Sequence, residues 1–136
     1  MKISTKGRYA LRMMIDLALE GGDGFVALKD IAKRQNISKK YLEQIMPILN
    51  RTDFLVTNRG YQGGYKLSRK PSEYSVGEIL RVSEGNLSPV ACLDVKPNRC
   101  ERKDFCLTLP VWEGLEKVIE NYLDNITLQD IIDKNV

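Results

Sequence analysis

The sequence predicts a mainly α-helical protein with a small β-hairpin and a long helix near its C-terminus. Apolar residues recur at intervals of three and four along much of the 136-residue chain, as they do on the buried face of a helix. Two short β-favouring runs interrupt this pattern. The glycines between these runs, Gly60, Gly63 and Gly64, allow the chain to form a hairpin.

Three helices are predicted before the hairpin. The first covers about residues 6–20 and is capped by Ser4 or Thr5, and the second covers residues 28–34. Ser38 caps the third helix, which runs toward Leu49 and which Pro47 is expected to kink or shorten. Leu42, Ile45 and Leu49 share its inward face. The residues expected to look outward are Lys39, Lys40, Tyr41, Glu43 and Gln44.

Two short helices joined by a tight turn form the helix-turn-helix pattern, and the hairpin that follows is typical of a wing. Residues 1–72 are therefore predicted to form a winged helix-turn-helix DNA-binding domain. Gln44 suits an adenine edge and Glu43 a cytosine amine, whereas Arg59 suits a narrow minor groove. The full set of predicted DNA-binding residues is Lys6, Arg8, Ser38, Lys39, Lys40, Tyr41, Glu43, Gln44, Arg59, Gly60 and Tyr61.

The charge distribution favours the same partner, double-stranded DNA. Residues 1–70 hold 14 Lys/Arg and 6 Asp/Glu, a net charge of +8, whereas residues 71–136 hold 7 and 12, a net charge of −5. No apolar run is long enough to span a bilayer and no signal-peptide pattern opens the chain, so we expect a cytoplasmic protein without a membrane partner. The chain has no histidine, which excludes Ser–His and Cys–His nucleophile pairs, and an enzyme is not expected.

The segment 73–107 is predicted to hold a connecting helix, which a capping box of Ser75 and Glu78 starts and Gly85 ends, and then a polar loop. Three cysteines, Cys92, Cys100 and Cys106, lie within fifteen residues of one another on this loop. Thiols on a hydrophilic loop indicate metal, cluster or redox chemistry rather than core packing. From spacing alone, an iron–sulfur cluster, a zinc ion and a metal-free thiol switch all remain open. Loop residues that suit an extra ligand or stabilise thiolates are Asp94, Glu101, Asp104, Arg99, Arg102 and Lys103.

The segment 108–136 is predicted to hold the longest helix, which begins after Pro110 and ends near Asp124. One stripe of this helix carries more apolar surface than so small a chain can cover, which favours a homodimer interface. The alternative is that this face covers the chain's own winged helix. A last short turn, capped by Thr127, is expected against the partner. The predicted dimerisation residues are Val111, Leu115, Val118, Ile119 and Tyr122.

Several stretches in order along the chain resemble the Rrf2 family of bacterial winged-helix transcription regulators, and in particular its iron–sulfur cluster regulator (IscR) branch. The matching stretches are the run from Met1 to Leu11, Tyr41-Leu42-Glu43-Gln44, Arg59-Gly60 with Gly63-Gly64-Tyr65, Ile79 to Gly85, the three cysteines with Leu107-Thr108, Trp112, and Asn125-Ile126-Thr127-Leu128. The resemblance implies a homodimer whose long helices cross and whose winged helices bind a pseudo-palindromic operator. It also implies that the three cysteines hold an iron–sulfur cluster, 2Fe–2S in preference to 4Fe–4S, and that the protein represses genes of cluster assembly, iron or cysteine metabolism.

Two positions depart from this family pattern. Leu109 stands where IscR-like proteins supply a histidine ligand, and Arg8 stands where nitric-oxide-sensing relatives supply an aspartate. The fourth cluster ligand is therefore open. Besides a zinc-bound or thiol-redox regulator, one further alternative is a dimeric adaptor that recruits a metabolic enzyme.

Overall fold

The computed structural model describes residues 2–60 and 63–136 of the chain. In this part, six α-helices and one two-stranded antiparallel sheet follow one another in the predicted order. The bounds are α1 Thr5–Glu20, α2 Leu28–Gln35, α3 Lys39–Asn50, β1 Leu55–Asn58, β2 Gly64–Leu67, α4 Val76–Glu84, α5 Leu109–Asp124 and α6 Leu128–Ile132. The mainly α-helical winged fold expected from the sequence is confirmed.

Side-chain caps start four of the six helices where the sequence predicts them. Ser4 Oγ accepts from the backbone N–H of Gly7 at 3.1 Å, and Ser38 Oγ accepts from that of Tyr41 at 3.1 Å. Ser75 and Thr127 each form a reciprocal capping box at the start of α4 and α6. These local contacts satisfy N–H groups that the first turn of a helix leaves without a partner.

Helix α3 continues past Pro47 to Asn50, so of the two effects expected of the proline, a kink or a shortening, the shortening does not occur. Pro47 removes one backbone donor, but the turn that follows is held by burial. Leu49 is fully buried, and the carbonyl of Pro47 accepts from the backbone N–H of Arg51 at 3.2 Å. Packing of the last turn therefore outweighs the lost hydrogen bond.

The hairpin pairs Leu55 with Leu67 and Asn58 with Gly64. Val26 adds one antiparallel bridge to Tyr65. This bridge needs a glycine at position 64, because a Cβ there would lie 2.4 Å from the carbonyl oxygen of Val26. The segment before α2 is thereby fixed against the wing.

The main core lies between α1, α2, α3 and α4, with Tyr74 and Leu128 among its fully buried residues. The hydroxyl of Tyr74 donates to the carbonyl of Phe54 at 2.6 Å and ties the hairpin to the start of α4. Leu128 places α6 against this core, and its N–H donates to the carbonyl of Tyr74 at 3.1 Å. This last turn is therefore anchored in its own chain through Leu128, and its contact with a partner stays a prediction.

A smaller apolar cluster joins α4 to α5 and consists of Val76, Leu80 and Leu87 with partly buried neighbours that include Ile119. Arg81 closes the same contact, since its Nη1 and Nη2 donate to the two oxygens of Asp124 at 2.7 and 2.8 Å. Helix α5 is thus attached to the core by its C-terminal half. Among the described residues, no helix has both the length and the apolarity needed to cross a membrane.

Candidate DNA interface and cysteine loop

Helix α3 presents a polar face on a buried apolar base. Leu42, Ile45 and Leu49 are fully buried, while the opposite face exposes Lys39, Lys40, Glu43 and Gln44. The apolar residues recur at intervals of three and four, so one side of the helix is fixed in the core. The other side can enter a major groove, where amide, carboxylate and lysine side chains meet base edges and phosphates.

Tyr41 differs from the expected outward position because it is half-buried. Its ring meets that of Tyr9 edge to face, with centroids 5.4 Å apart and an interplanar angle of 77°. The guanidinium of Arg12 lies 5.2 Å from the centre of the Tyr9 ring. These contacts fix the start of α3 on α1 and thereby set the direction in which the polar face of α3 points.

The wing tip exposes Arg59 and Gly60. Asn58 Oδ1 accepts from the backbone N–H of Gly60 at 3.0 Å, and the carbonyl of Gly60 accepts from the N–H of Gly63 at 2.8 Å. Arg59 therefore extends from a hydrogen-bonded turn. Tyr61, the remaining wing residue of the predicted interface, lies outside the described residues.

An open groove of about 1020 Å³ separates the wing from α2 and α3. Lys39 and Arg59 line it together with two residues that sequence reasoning missed, Lys29 and Asn50. Asn50 Oδ1 accepts from Thr57 Oγ1 at 3.1 Å and so links the end of α3 to β1. Lys29 lies in the first turn of α2, a helix for which the sequence predicted no DNA contact. The positive charge of Lys29 was the one sequence signal that could have marked it.

The first two turns of α1 expose two more residues of the predicted interface, Lys6 and Arg8. Arg8 Nη2 donates to Thr5 Oγ1 at 3.1 Å, a local contact that leaves its other donors free for phosphate. Lys2 is also exposed just before this helix. The basic residues of α1 are thus at the surface, as phosphate contacts require.

The cysteines lie between α4 and α5 on a stretch whose one regular turn is the 3₁₀ helix Ala91–Leu93. Cys100 is exposed, and Cys92 and Cys106 are partly buried; all three are free thiols. Within residues 2–60 and 63–136, no three Cys, Asp or Glu side chains lie close enough together to hold a metal ion. The donor set fits an iron–sulfur cluster in kind, but the placement of the three thiols here does not.

Cys106 precedes α5 and differs from the other two thiols in its surroundings. Its Sγ lies 3.4 Å from the hydroxyl of Thr108. Hydrogen bonding from this hydroxyl, helped by the backbone N–H groups of Thr108 and Leu109, lowers the pKa of the Cys106 thiol below its ordinary value. The lowered pKa favours the thiolate of Cys106, and the thiolate is the reactive and metal-binding form.

Glu116 connects α5 to the cysteine loop, a contact that the sequence did not reveal. Glu116 is only 8% exposed. Oε1 accepts from the hydroxyl of Ser88 at 2.8 Å, and Oε2 lies 3.7 Å from Nζ of Lys96. The Ser88 hydroxyl also contacts the carbonyl of Leu93 at 3.1 Å. These bonds hold the residues around Cys92 against the long helix.

The expected dimerisation stripe is largely uncovered in one copy of the chain. Val111, Leu115, Val118 and Tyr122 are 60, 41, 66 and 60% exposed. Ile119, expected in the same surface, instead packs partly buried against the α4–α5 cluster of its own chain. The alternative that this stripe covers the chain's own winged helix does not hold for these four residues.

Comparison with known proteins agrees with this geometry. Residues 3–134 match the model of the Rrf2 family, described as iron-dependent transcriptional regulator. The protein rrf2 of Nitratidesulfovibrio vulgaris is 36% identical over 97% of this chain and 87% of its own. The solved structure of T. potens IscR has a TM-score of 0.78, with 41% identity over 100% of this chain and 89% of that one. CymR, the global cysteine regulator of B. subtilis, has a TM-score of 0.78 and 37% identity, and the match covers 98% of each chain.

The family model is described as a transcriptional regulator, and the likeness to these relatives extends over nearly the whole chain, including the helix-turn-helix, the wing and the long helix. Identities of 36 and 41% over most of both chains are high enough to show a common family and not only a common fold. The chain therefore belongs to the Rrf2 family of DNA-binding transcription regulators.

Proposed function

We propose that the chain binds operator DNA as a homodimer in the cytoplasm and represses genes of cluster assembly, iron or cysteine metabolism in response to iron–sulfur supply. One observation carries this proposal. An exposed, basic groove-reading surface and a loop with three free cysteines, one exposed and two partly buried, occur in one chain, joined by the helix α4. In this proposal the basic surface binds DNA, and the cysteine loop senses the iron–sulfur supply.

The DNA contacts divide by chemistry. Lys6, Arg8, Lys39 and Lys40 suit phosphates because lysine and arginine neutralise backbone charge, and Ser38 adds the N-terminal end of α3. Gln44 and Glu43 suit base edges in the major groove. Arg59 and Gly60 at the wing tip, with Tyr61 next to them in the sequence, suit the adjacent minor groove.

The uncovered stripe on α5 supports a two-fold dimer. Four large apolar side chains on one helical face are unfavourable in water, and a second copy of the same helix can bury them by an isologous contact. A two-fold axis relates the two copies of α3, so the half-sites that they bind would be inverted repeats. A pseudo-palindromic operator follows from that symmetry.

Three thiols on one loop support a sensor. Cys92, Cys100 and Cys106 would supply thiolate ligands, and the cluster, with 2Fe–2S favoured, would supply a centre that is gained or lost with iron supply. Because the sulfurs do not form a group in the described conformation, the loop has to close for all three to bind one centre. The description of the family model as iron-dependent agrees with a response to iron supply.

The lowered pKa of Cys106 favours a second candidate, a thiol-based or zinc-bound regulator of cysteine metabolism. The relative CymR is titled a global cysteine regulator, which agrees with it. Recruitment of a metabolic enzyme is not part of either candidate, since the relative CymR is named an HTH-type transcriptional regulator.

One experiment separates the candidates. Anaerobically purified protein is assayed for iron, sulfide and zinc, and its binding to a duplex that it selects from a random library is measured with and without the bound centre. Stoichiometric iron and sulfide with a change in DNA affinity on removal supports the iron–sulfur sensor. Zinc alone, or metal-free protein whose affinity changes with thiol oxidation, supports the second candidate. A protein with no preference for its selected duplex at any salt concentration contradicts both.

A further inference from the structure

The carboxylate of Glu84 reaches across from the end of α4 to the beginning of α1. Its Oε1 accepts from the backbone N–H of Ser4 at 2.9 Å and from the Ser4 hydroxyl at 2.6 Å. Ser4 is itself the N-cap of α1, because its Oγ accepts from the N–H of Gly7 at 3.1 Å. Glu84 therefore holds the residue that starts this helix.

Gly7 makes room for this contact. A Cβ at position 7 would lie 2.1 Å from Oε1 of Glu84, which is closer than two unbonded atoms can approach, and 3.1 Å from its Cδ. Gly7 is buried, and it lies within the helix, so its backbone freedom is not what the position needs. The close approach of Glu84 explains the glycine.

The charge of Glu84 is poorly placed for its own helix. A negative group at the C-terminus of α4 opposes the dipole of that helix, whereas the same group at the N-terminus of α1 is favourable there. The contact with Ser4 is therefore the physical reason for a carboxylate at this position. Ile3 supports the same joint, since it packs against the α4–α5 cluster.

Three exposed basic residues surround this joint: Lys2, Lys6 and Arg8, here called the basic arm. Lys2 precedes the capped residue by two positions, and Lys6 and Arg8 lie in the first two turns of α1. The direction of all three side chains depends on where α1 begins relative to α4. Glu84 fixes the start of α1, but its own negative charge cannot bind DNA.

We propose that Glu84 is a positioning residue for DNA binding, which acts through Ser4 and Gly7 to aim the basic arm at the phosphate backbone. The inference rests on the proposed phosphate contacts of Lys6 and Arg8. Glu84 would then increase the affinity for DNA, whereas its negative charge alone would lower it.

The test is the salt dependence of DNA binding by Glu84→Ala, Glu84→Gln and the control Glu20→Ala. Glu20 is the exposed last residue of α1, so Glu20→Ala removes the same charge without touching the joint. Each lost phosphate contact lowers the slope of log affinity against log salt by about 0.9. We expect Glu84→Ala to lower that slope by about 1–2 and to weaken binding about tenfold, while Glu20→Ala strengthens it slightly. Glu84→Gln should keep the slope of the wild type, because its amide oxygen can accept both bonds from Ser4.

A second variant approaches the joint from the other side. Gly7→Ala favours a helix by its intrinsic propensity but displaces Glu84, so it should reproduce the lowered slope in a folded protein. Active protein is counted by stoichiometric titration, since partial unfolding lowers the active fraction but leaves the slope unchanged. Slopes of Glu84→Ala and Gly7→Ala equal to that of Glu20→Ala overturn the inference. Lys6→Ala and Arg8→Ala that leave binding unchanged would instead contradict the proposed phosphate contacts.

Discussion

Asp16 in α1 and Arg34 in α2 form a two-point ion pair. Nη2 of Arg34 donates to Oδ1 of Asp16 at 2.7 Å, and Nε donates to Oδ2 at 3.1 Å. Gln35 Nε2 adds a third bond to Oδ2 at 3.0 Å. The hydrogen bond to Asp16 raises the pKa of Arg34 above its ordinary value. Asp16 is only 2% exposed, and these three donors replace the water that its carboxylate loses.

We expect Asp16→Ala to lower the free energy of unfolding by about 2–4 kcal/mol, because it leaves Arg34 and Gln35 without their partner beside the core. Urea unfolding followed by circular dichroism measures the change. Asp23→Ala is the matched control: Asp23 is exposed in the turn after α1, and its loss should cost less than about 0.5 kcal/mol. Equal midpoints for the two variants would show that the buried pair contributes nothing to stability.

Asp16 also shows where sequence reasoning stopped. It occupies the buried face of α1, three residues after Met13, at a position where helical periodicity predicts an apolar residue. The periodicity located the face correctly, but the partner lies in another helix, and no local pattern specifies which basic residue will meet a carboxylate. The same reason hid Glu116 and Glu84, whose partners are 28 and 80 residues away along the chain.

By contrast, the polar face of α3 was predictable because it depends on a repeat within twelve residues and on one capping serine. The cysteine loop lies between these cases. Proximity along the chain was evident from the sequence, but the distances between the sulfurs depend on a long segment without regular structure. Its folding onto α5 through Ser88 and Lys96 is a tertiary effect.

Gln44→Ala should cost about 1–3 kcal/mol on the selected duplex and little on a random duplex, since a side-chain amide reads base edges rather than phosphates. Lys39→Ala is the companion variant. Lys39 pairs with Glu43 at 3.9 Å, and both side chains are exposed, so this contact is too weak to withdraw the lysine from DNA. Its loss should weaken both duplexes alike and lower the salt slope by about 1. Equal losses on both duplexes for Gln44→Ala would refute direct readout.

Alkylation of Cys106 by iodoacetamide in metal-free protein should depend on Thr108. The hydroxyl of Thr108 lowers the pKa of the Cys106 thiol, so the thiolate persists to lower pH and the rate falls only as the pH drops through this lowered pKa. In Thr108→Val, we expect the midpoint of the pH–rate profile at Cys106 to move upward. Peptide mass mapping follows each site, and alkylation of Cys100 serves as the internal reference. An unchanged midpoint at Cys106 would exclude the hydroxyl as the cause.

Val118→Asp should convert the proposed dimer to monomer. Val118 is the most exposed member of the α5 stripe, at 66%, and a carboxylate there would bring a charge into the proposed apolar contact between two copies. We expect the dimer dissociation constant to rise by about two orders of magnitude, measured by sedimentation equilibrium, with a parallel loss of affinity for a full operator. Leu19→Asp is the control, since Leu19 is 58% exposed at the far end of α1 and outside the stripe. If both variants sediment as the wild type does, the stripe is not the dimer interface; if both dissociate, added charge rather than position is the cause.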